Sequence, residues 1–179
     1  MNNHIINEIK SWAKSICIAL GVTLVVRTFI FAPYIVEGAS MEPTLHNHEK
    51  IFVNKLNVTD NFKRGEIVII KGIDVNYVKR IIALPGDTIE MRKDQLFING
   101  VQFEESYLSK NRKQAEQKGS LLTGDFGPEI VPENNYFVMG DNRLHSMDSR
   151  NGLGYIQKET IVGKPEFVFL PFTQIRNIK

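Results

Sequence analysis

The sequence predicts a mainly β domain, a barrel or sandwich, behind one N-terminal transmembrane helix. An uncharged apolar run lies near the N-terminus, short β-type runs replace the helical pattern after Pro33, and turn signals separate those runs.

Composition narrows the class further. Of 179 residues, 42% are hydrophobic and 23% charged, which excludes a disordered or collagen-like chain. The 22 Lys and Arg against 20 Asp and Glu leave a net charge of +2. Nucleic-acid binders carry a clustered basic surplus, so no nucleic-acid partner is expected. The single cysteine, Cys17, can form neither an internal disulfide nor a Cys-rich metal centre.

Ser15–Val26 reads SICIALGVTLVV, 12 residues without charge, short of the roughly 20 that cross a bilayer. Continuing through Arg27 to Ile35 gives 21 residues, with Arg27 able to snorkel to the outer headgroups. Residues 15–35 are therefore expected as an anchor in the lipid bilayer. Lys10 and Lys14 place residues 1–14 in the cytoplasm, which leaves 36–179 as an extracytoplasmic domain. A cleaved leader needs small residues at −1 and −3; cuts after Ala32 or Ala39 put Ile30 or Glu37 at −3. A cut after Ser40 passes on size but follows the charged Glu37 and discards the serine turn. A buried core helix of a soluble protein is the remaining alternative.

Strands are expected at Lys50–Asn54, Glu66–Lys71, Tyr77–Ala83, Thr88–Arg92, Gln95–Ile98, Tyr136–Met139 and Ile161–Leu170. Asn99-Gly100 between QLFI and VQF is a type I′ hairpin signal, and Pro85-Gly86-Asp87 marks another turn. The polar stretch 104–132 reads as an excursion inserted between two halves of the β core. Its Lys110, Arg112, Lys113 and Lys118 form a solvated loop or attract an anionic surface.

Phosphate-loop, dinucleotide and HExxH zinc signatures are absent from the chain. Gly38-Ala39-Ser40-Met41-Glu42 begins like a nucleophile elbow but has Glu42 where the second Gly belongs. His46 and His48 share a face if extended, without a third ligand nearby, so no metal is expected there. Ser40 follows two small residues on a turn, within roughly 18 Å of the expected bilayer edge.

A serine nucleophile needs a base, and His145 and Lys79 are the candidates. In a strand Lys79 points with Tyr77 and Ile81, and Arg80 with Val78 and Ile82, so one of the two cations is expected to face inward. A lysine acting as a neutral base must have its pKa lowered from about 10.4 to near 7, which costs about 4 kcal/mol and is within the reach of burial. A solvated or ion-paired strand lysine is the bland alternative. In the polar run Gly140–Arg150, Ser146 can orient the Lys79 amine, and Asp141 and Asp148 can pair with Arg80, Arg143 or Arg150. A polar turn closed by local side-chain bonds accounts for the same run without chemistry.

Three motifs in order, Glu37–Leu45, Tyr77–Asp87 and Gly140–Arg150, resemble those of the bacterial type I signal peptidases, which are membrane-anchored Ser–Lys proteases. The resemblance spans essentially the whole chain. It implies the β-rich fold of that family, with Ser40 as nucleophile and Lys79 as general base. Ser146 is then the residue that orients the lysine, Asp148, Arg150, Asp141 and Arg80 are its support, and Gly38 and Ala39 contact substrate. The implied substrate is the signal peptide of an exported preprotein, cut on the outer face after small residues at −1 and −3. No metal or cofactor is implied. Many members carry Ser or Thr where this chain has Gly38; the single anchor and short insertion resemble the compact enzymes of Gram-positive bacteria. Three rivals make different demands. A self-cleaving Ser–Lys repressor needs a DNA-binding domain, a Ser–His–Asp hydrolase would use Ser40, His145 and Asp148, and a membrane-tethered chaperone needs no chemistry.

Overall fold

Between residues 2 and 30 there is no proline and only Gly21 among the glycines, so nothing interrupts a helix. In the computed structural model, which describes residues 2–56 and 62–178, α1 runs from Asn2 to Phe29. Arg27 in its last turn complements the negative end of the helix dipole. The expected 15–35 span is therefore displaced. Phe31–Ile35, taken as the end of the anchor, is strand β1, paired with β2 (Lys50–Asn54). Pro33 has no N–H for a helix and drives Ala32 to extended backbone, and apolarity alone does not distinguish a strand from a helix end. The part of α1 long and apolar enough to cross a membrane is Ile6–Phe29, 24 residues. Its last turn is tied to the domain: Lys55 Nζ donates to Arg27 O and Thr28 O at 3.3 and 3.2 Å, and the Lys55 N–H to Ile30 O at 2.9 Å.

The remaining strands are β3 (Ile67–Lys71), β4 (Asn76–Ala83), β5 (Thr88–Arg92), β6 (Gln95–Ile98), β7 (Val101–Phe103), β8 (Phe126–Ile130), β9 (Asn135–Met139), β10 (Ile156–Gln157), β11 (Ile161–Leu170) and β12 (Arg176–Asn177). They form a larger sheet in the order β1-β2-β11-β3-β4-β9-β10, with β12 beside β11, and a smaller one in the order β7-β6-β5-β8. The fold is mainly β. At β11 the pairing passes from β2 to β3 through several register shifts, and irregularities of this kind curl a sheet toward a half-barrel. Asn99 and Gly100 both have positive φ, 53° and 77°, as a type I′ turn between β6 and β7 requires.

The 104–132 excursion is ordered. It contains α2 (Ser109–Gln117) and β8, which pairs with β5, and it buries Leu108, Ala115 and Leu122 in a small core of its own. A second expectation is also revised: Lys79 and Arg80 are both buried, at 3% and 2% exposure. Strand β4 lies between β3 and β9, and its Ile81 and Ile82 belong to different core clusters, so both of its faces are covered. Strand alternation assigns one face to solvent only where a face is free.

Candidate active site

Residues 36–45 leave β1 and double back in a chain of turns. Met41 and Leu45 are buried in the core with Val36, Ile51 and Val53, which fixes the turn and holds Ser40 half-buried at its rim. Two residues earlier Gly38 has φ +85°, backbone that L side chains rarely adopt, and its N–H donates to Asn47 Oδ1 at 2.9 Å. Glycine at 38 in place of a hydroxyl residue follows from that local conformation.

Lys79 reaches Ser40 from β4. Its Nζ donates to Ser40 Oγ at 2.7 Å, a contact that reverses direction once the amine is neutral. Burial pushes the Lys79 ammonium down to about 8; the more distant Asp148 and Asp141 carboxylates oppose that fall, and Arg150 adds to it. Among the described residues no carboxylate forms an ion pair with Lys79. Arg80, its neighbour, meets the opposite environment. The guanidinium makes a forked contact with Asp141, at 2.9 and 2.7 Å, donates to Gly65 O and lies 4.1 Å from the Tyr107 ring centroid. Asp141 also accepts from Thr44 Oγ1, which ties the Ser40 loop to the 140–150 loop and, through Arg80, to strand β4.

The 140–150 loop closes the site. A Cβ on Gly140 would lie 2.3 Å from Ser146 Oγ and 2.4 Å from Ser40 O, so only glycine fits between the two serines. The Gly140 N–H donates to Asp148 Oδ2 at 3.0 Å. Arg150 forks onto the same carboxylate at 2.8 Å and donates to Arg143 O. Asp148 is held below the usual carboxylate range: burial pushes it up, and the Arg150 guanidinium and the Gly140 N–H more than offset that. From the facing side, the Asn142 N–H donates to Ser40 O and its side-chain amide to Ala39 O, both at 3.0 Å. Ser146 is buried at 5% exposure, and its Oγ makes no hydrogen bond among the described residues.

A half-buried serine in contact with a buried lysine, braced by two forked Arg–Asp pairs, is therefore what the fold assembles. A family model for "Signal peptidase, peptidase S26" matches residues 9–170. Signal peptidase I S of Bacillus subtilis (strain 168) is 58% identical over 171 residues, covering 94% of this chain and 93% of its own. Signal peptidase I of Bacillus amyloliquefaciens is 55% identical over 174 residues, 97% and 94% of the two chains. The chain belongs to the signal peptidase family, peptidase S26. The crystal structure of a signal peptidase I from Enterococcus faecalis V583 superposes with a TM-score of 0.53 at 35% identity, covering 59% of this chain and 97% of that one.

Within this family member, Ser40, Lys79, Asp141, Asp148, Arg80 and Arg150 come together, and Gly38 and Ala39, the two residues before Ser40, are exposed. The Ser40–His145–Asp148 alternative does not assemble. His145 is exposed, Asp148 is engaged by Arg150 and Gly140, and Ser40 Oγ meets Lys79. Reasoning from sequence missed Thr44, Glu105, Tyr107 and Asn111. Glu105 pairs with Arg143, Tyr107 covers Arg80, and Asn111 Nδ2 donates to Glu42 O and Asp141 O at 2.9 Å. Three of the four sit in the excursion, where nothing short of the folded chain brings them to residues 40–44 and 140–150. Thr44 lies inside the first motif, but a threonine four residues past a candidate nucleophile carries no chemical signal of its own.

Proposed function

We propose that Ser40 and Lys79 are the catalytic dyad of a membrane-anchored endopeptidase that removes signal peptides from exported preproteins. The observation that carries this reading is the 2.7 Å contact between Ser40 Oγ and a buried lysine amine with depressed basicity. Ile6–Phe29 crosses the bilayer, Lys10 and Lys14 stay on the cytoplasmic side, and the domain from Val36 onward lies outside. The substrate enters as an extended segment beside the residues preceding Ser40, with small side chains at −1 and −3.

Neutral Lys79 takes the Ser40 proton as Oγ attacks the scissile carbonyl. The Ser40 N–H holds the oxyanion, and the new ammonium protonates the departing amine. Water activated by the same lysine then frees the acyl-enzyme. Ser146 stands beside Gly140 to steer the amine, while the Asp141–Arg80 and Asp148–Arg150 pairs keep the strand and the loop in register. A tethered chaperone would have no use for a buried lysine held against a serine.

Mass analysis of the products from a preprotein with an Ala-x-Ala site, treated with the detergent-solubilised protein, tests the reading. One new N-terminus directly after the second Ala is expected; cutting elsewhere refutes it. The pH profile supplies a second check. The active dyad carries a neutral lysine, so kcat/KM rises as pH passes through about 8. A flat profile from about pH 6 to 9 would assign the proton to another group.

The depressed basicity also weakens the fold. Below about 8 lysine is protonated in both folded and unfolded chains, and the folded one bears the whole desolvation penalty. Stability is regained as pH rises from about 8 to 10.5, where only the unfolded chain still binds the proton. At about 1.4 kcal/mol for each step of one in pKa, the penalty at pH 7 is about 3 kcal/mol. Lys79→Met is accordingly expected to unfold at higher denaturant concentration than the unaltered protein at pH 7, with the advantage shrinking as pH rises above about 8.

A further inference from the structure

Beyond Ser40 in the chain direction lies an open cleft that the dyad does not use. Its walls are Glu42 and His46 from the nucleophile's loop, Leu144 and His145 from the 140–150 loop, and Lys118 from the end of α2. The cleft is continuous with the site, because Asn142, which also lines it, is the residue that holds Ala39 O and Ser40 O. The excursion is fastened there as well: Asn111 of α2, another lining residue, donates to Glu42 O and Asp141 O. The wall that α2 contributes is thus fixed relative to the nucleophile.

The cleft holds one carboxylate and one ammonium, and the two do not pair with each other. Glu42 is its single carboxylate and lies 3.8 Å from His46 Nδ1. Lys118 is exposed and takes part in no ion pair among the described residues, and His145, a hydrogen-bond donor when neutral, is an exposed lining residue of the same cleft. A substrate whose acyl half lies beside the residues before Ser40 must leave across Ser40 on the other side, because the amine departs opposite the acyl chain. Its first three residues after the bond cover roughly 10 Å in extended form.

We propose that this cleft receives the part of the preprotein that follows the scissile bond, and that Lys118 and His145 select an acidic side chain within its first three residues. The inference rests on the Ser40–Lys79 reading and assigns the excursion a role in specificity. It also separates two basic residues of one segment: Lys118 faces the cleft, and Lys113, also exposed, does not line it.

The test uses the full chain in detergent and three peptides sharing one Ala-x-Ala site, with Ala, Asp or Lys at the second position after the cut. The unaltered protein should favour the Asp over the Lys peptide in kcat/KM by about fivefold, the scale of an exposed charge pair, and less so in high salt. Lys118→Glu should reverse that order. Lys113→Glu, an equal change of charge five residues away, should keep it. Equal rates for the Asp and Lys peptides, or a preference that Lys118→Glu leaves untouched, would overturn the cleft assignment while cleavage of the Ala peptide upheld the dyad. If the Ala peptide itself survives intact, the dyad reading fails and the cleft assignment falls with it.

Discussion

Lys79→Ala and Ser40→Ala are each expected to lower the rate of preprotein cleavage by about 10⁴-fold or more, with the fold intact. If the two groups act on one proton, as proposed, the double variant should be hardly slower than either single one. Lys79→Arg should be as inactive as Lys79→Ala, because a guanidinium does not give up its proton near neutral pH. Single-turnover cleavage of a radiolabelled preprotein measures all four. Turnover that survives Lys79→Ala would transfer the base to another group, with His145 the first to examine.

The second large effect falls on stability. Glu105 and Arg143 have side chains only 1% and 0% exposed, and they join the excursion to the loop that carries Ser146 and Asp148. Arg143 also reaches Gly140 O, Thr123 Oγ1 and the Tyr107 hydroxyl, but Glu105 is its only carboxylate partner among the described residues. Glu105→Ala strands a buried cation and is expected to cost about 3–5 kcal/mol, read from the urea midpoint. Replacing both partners by apolar residues of similar volume should recover most of that loss. A Glu105→Ala protein with an unchanged midpoint would show that water reaches the pair.

Much of this arrangement was legible before the fold was known, and the exceptions have physical causes. Strands such as Thr88–Arg92 and Gln95–Ile98 alternate cleanly because one face of the smaller sheet meets solvent. The end of α1 was not legible, since hydropathy runs unbroken past Phe29 and only Pro33 marks the change of backbone. Ser40 and Lys79 stood out by residue type and setting. Their 2.7 Å approach depends on 38 intervening residues and on β2, β3 and β4 together. The Asp–Arg pairings were narrowed to a few combinations, and the fold chose Asp141 with Arg80 and Asp148 with Arg150. Arg143 went instead to Glu105, a partner outside the polar run that no local pattern indicates.

The Lys55 staple at the end of α1 has a mechanical consequence. A flexible tether would let the domain roam over the membrane and present Ser40 at many heights. Here the last helical carbonyls are bound to the residue that follows β2, and β1 starts two residues after the helix ends. With α1 in a bilayer, the anchor behaves as a strut, and Ser40 sits at a set elevation above the lipid. The enzyme is then also a gauge: the distance a preprotein must rise from its own membrane-buried stretch to the bond that is cut is built into the joint.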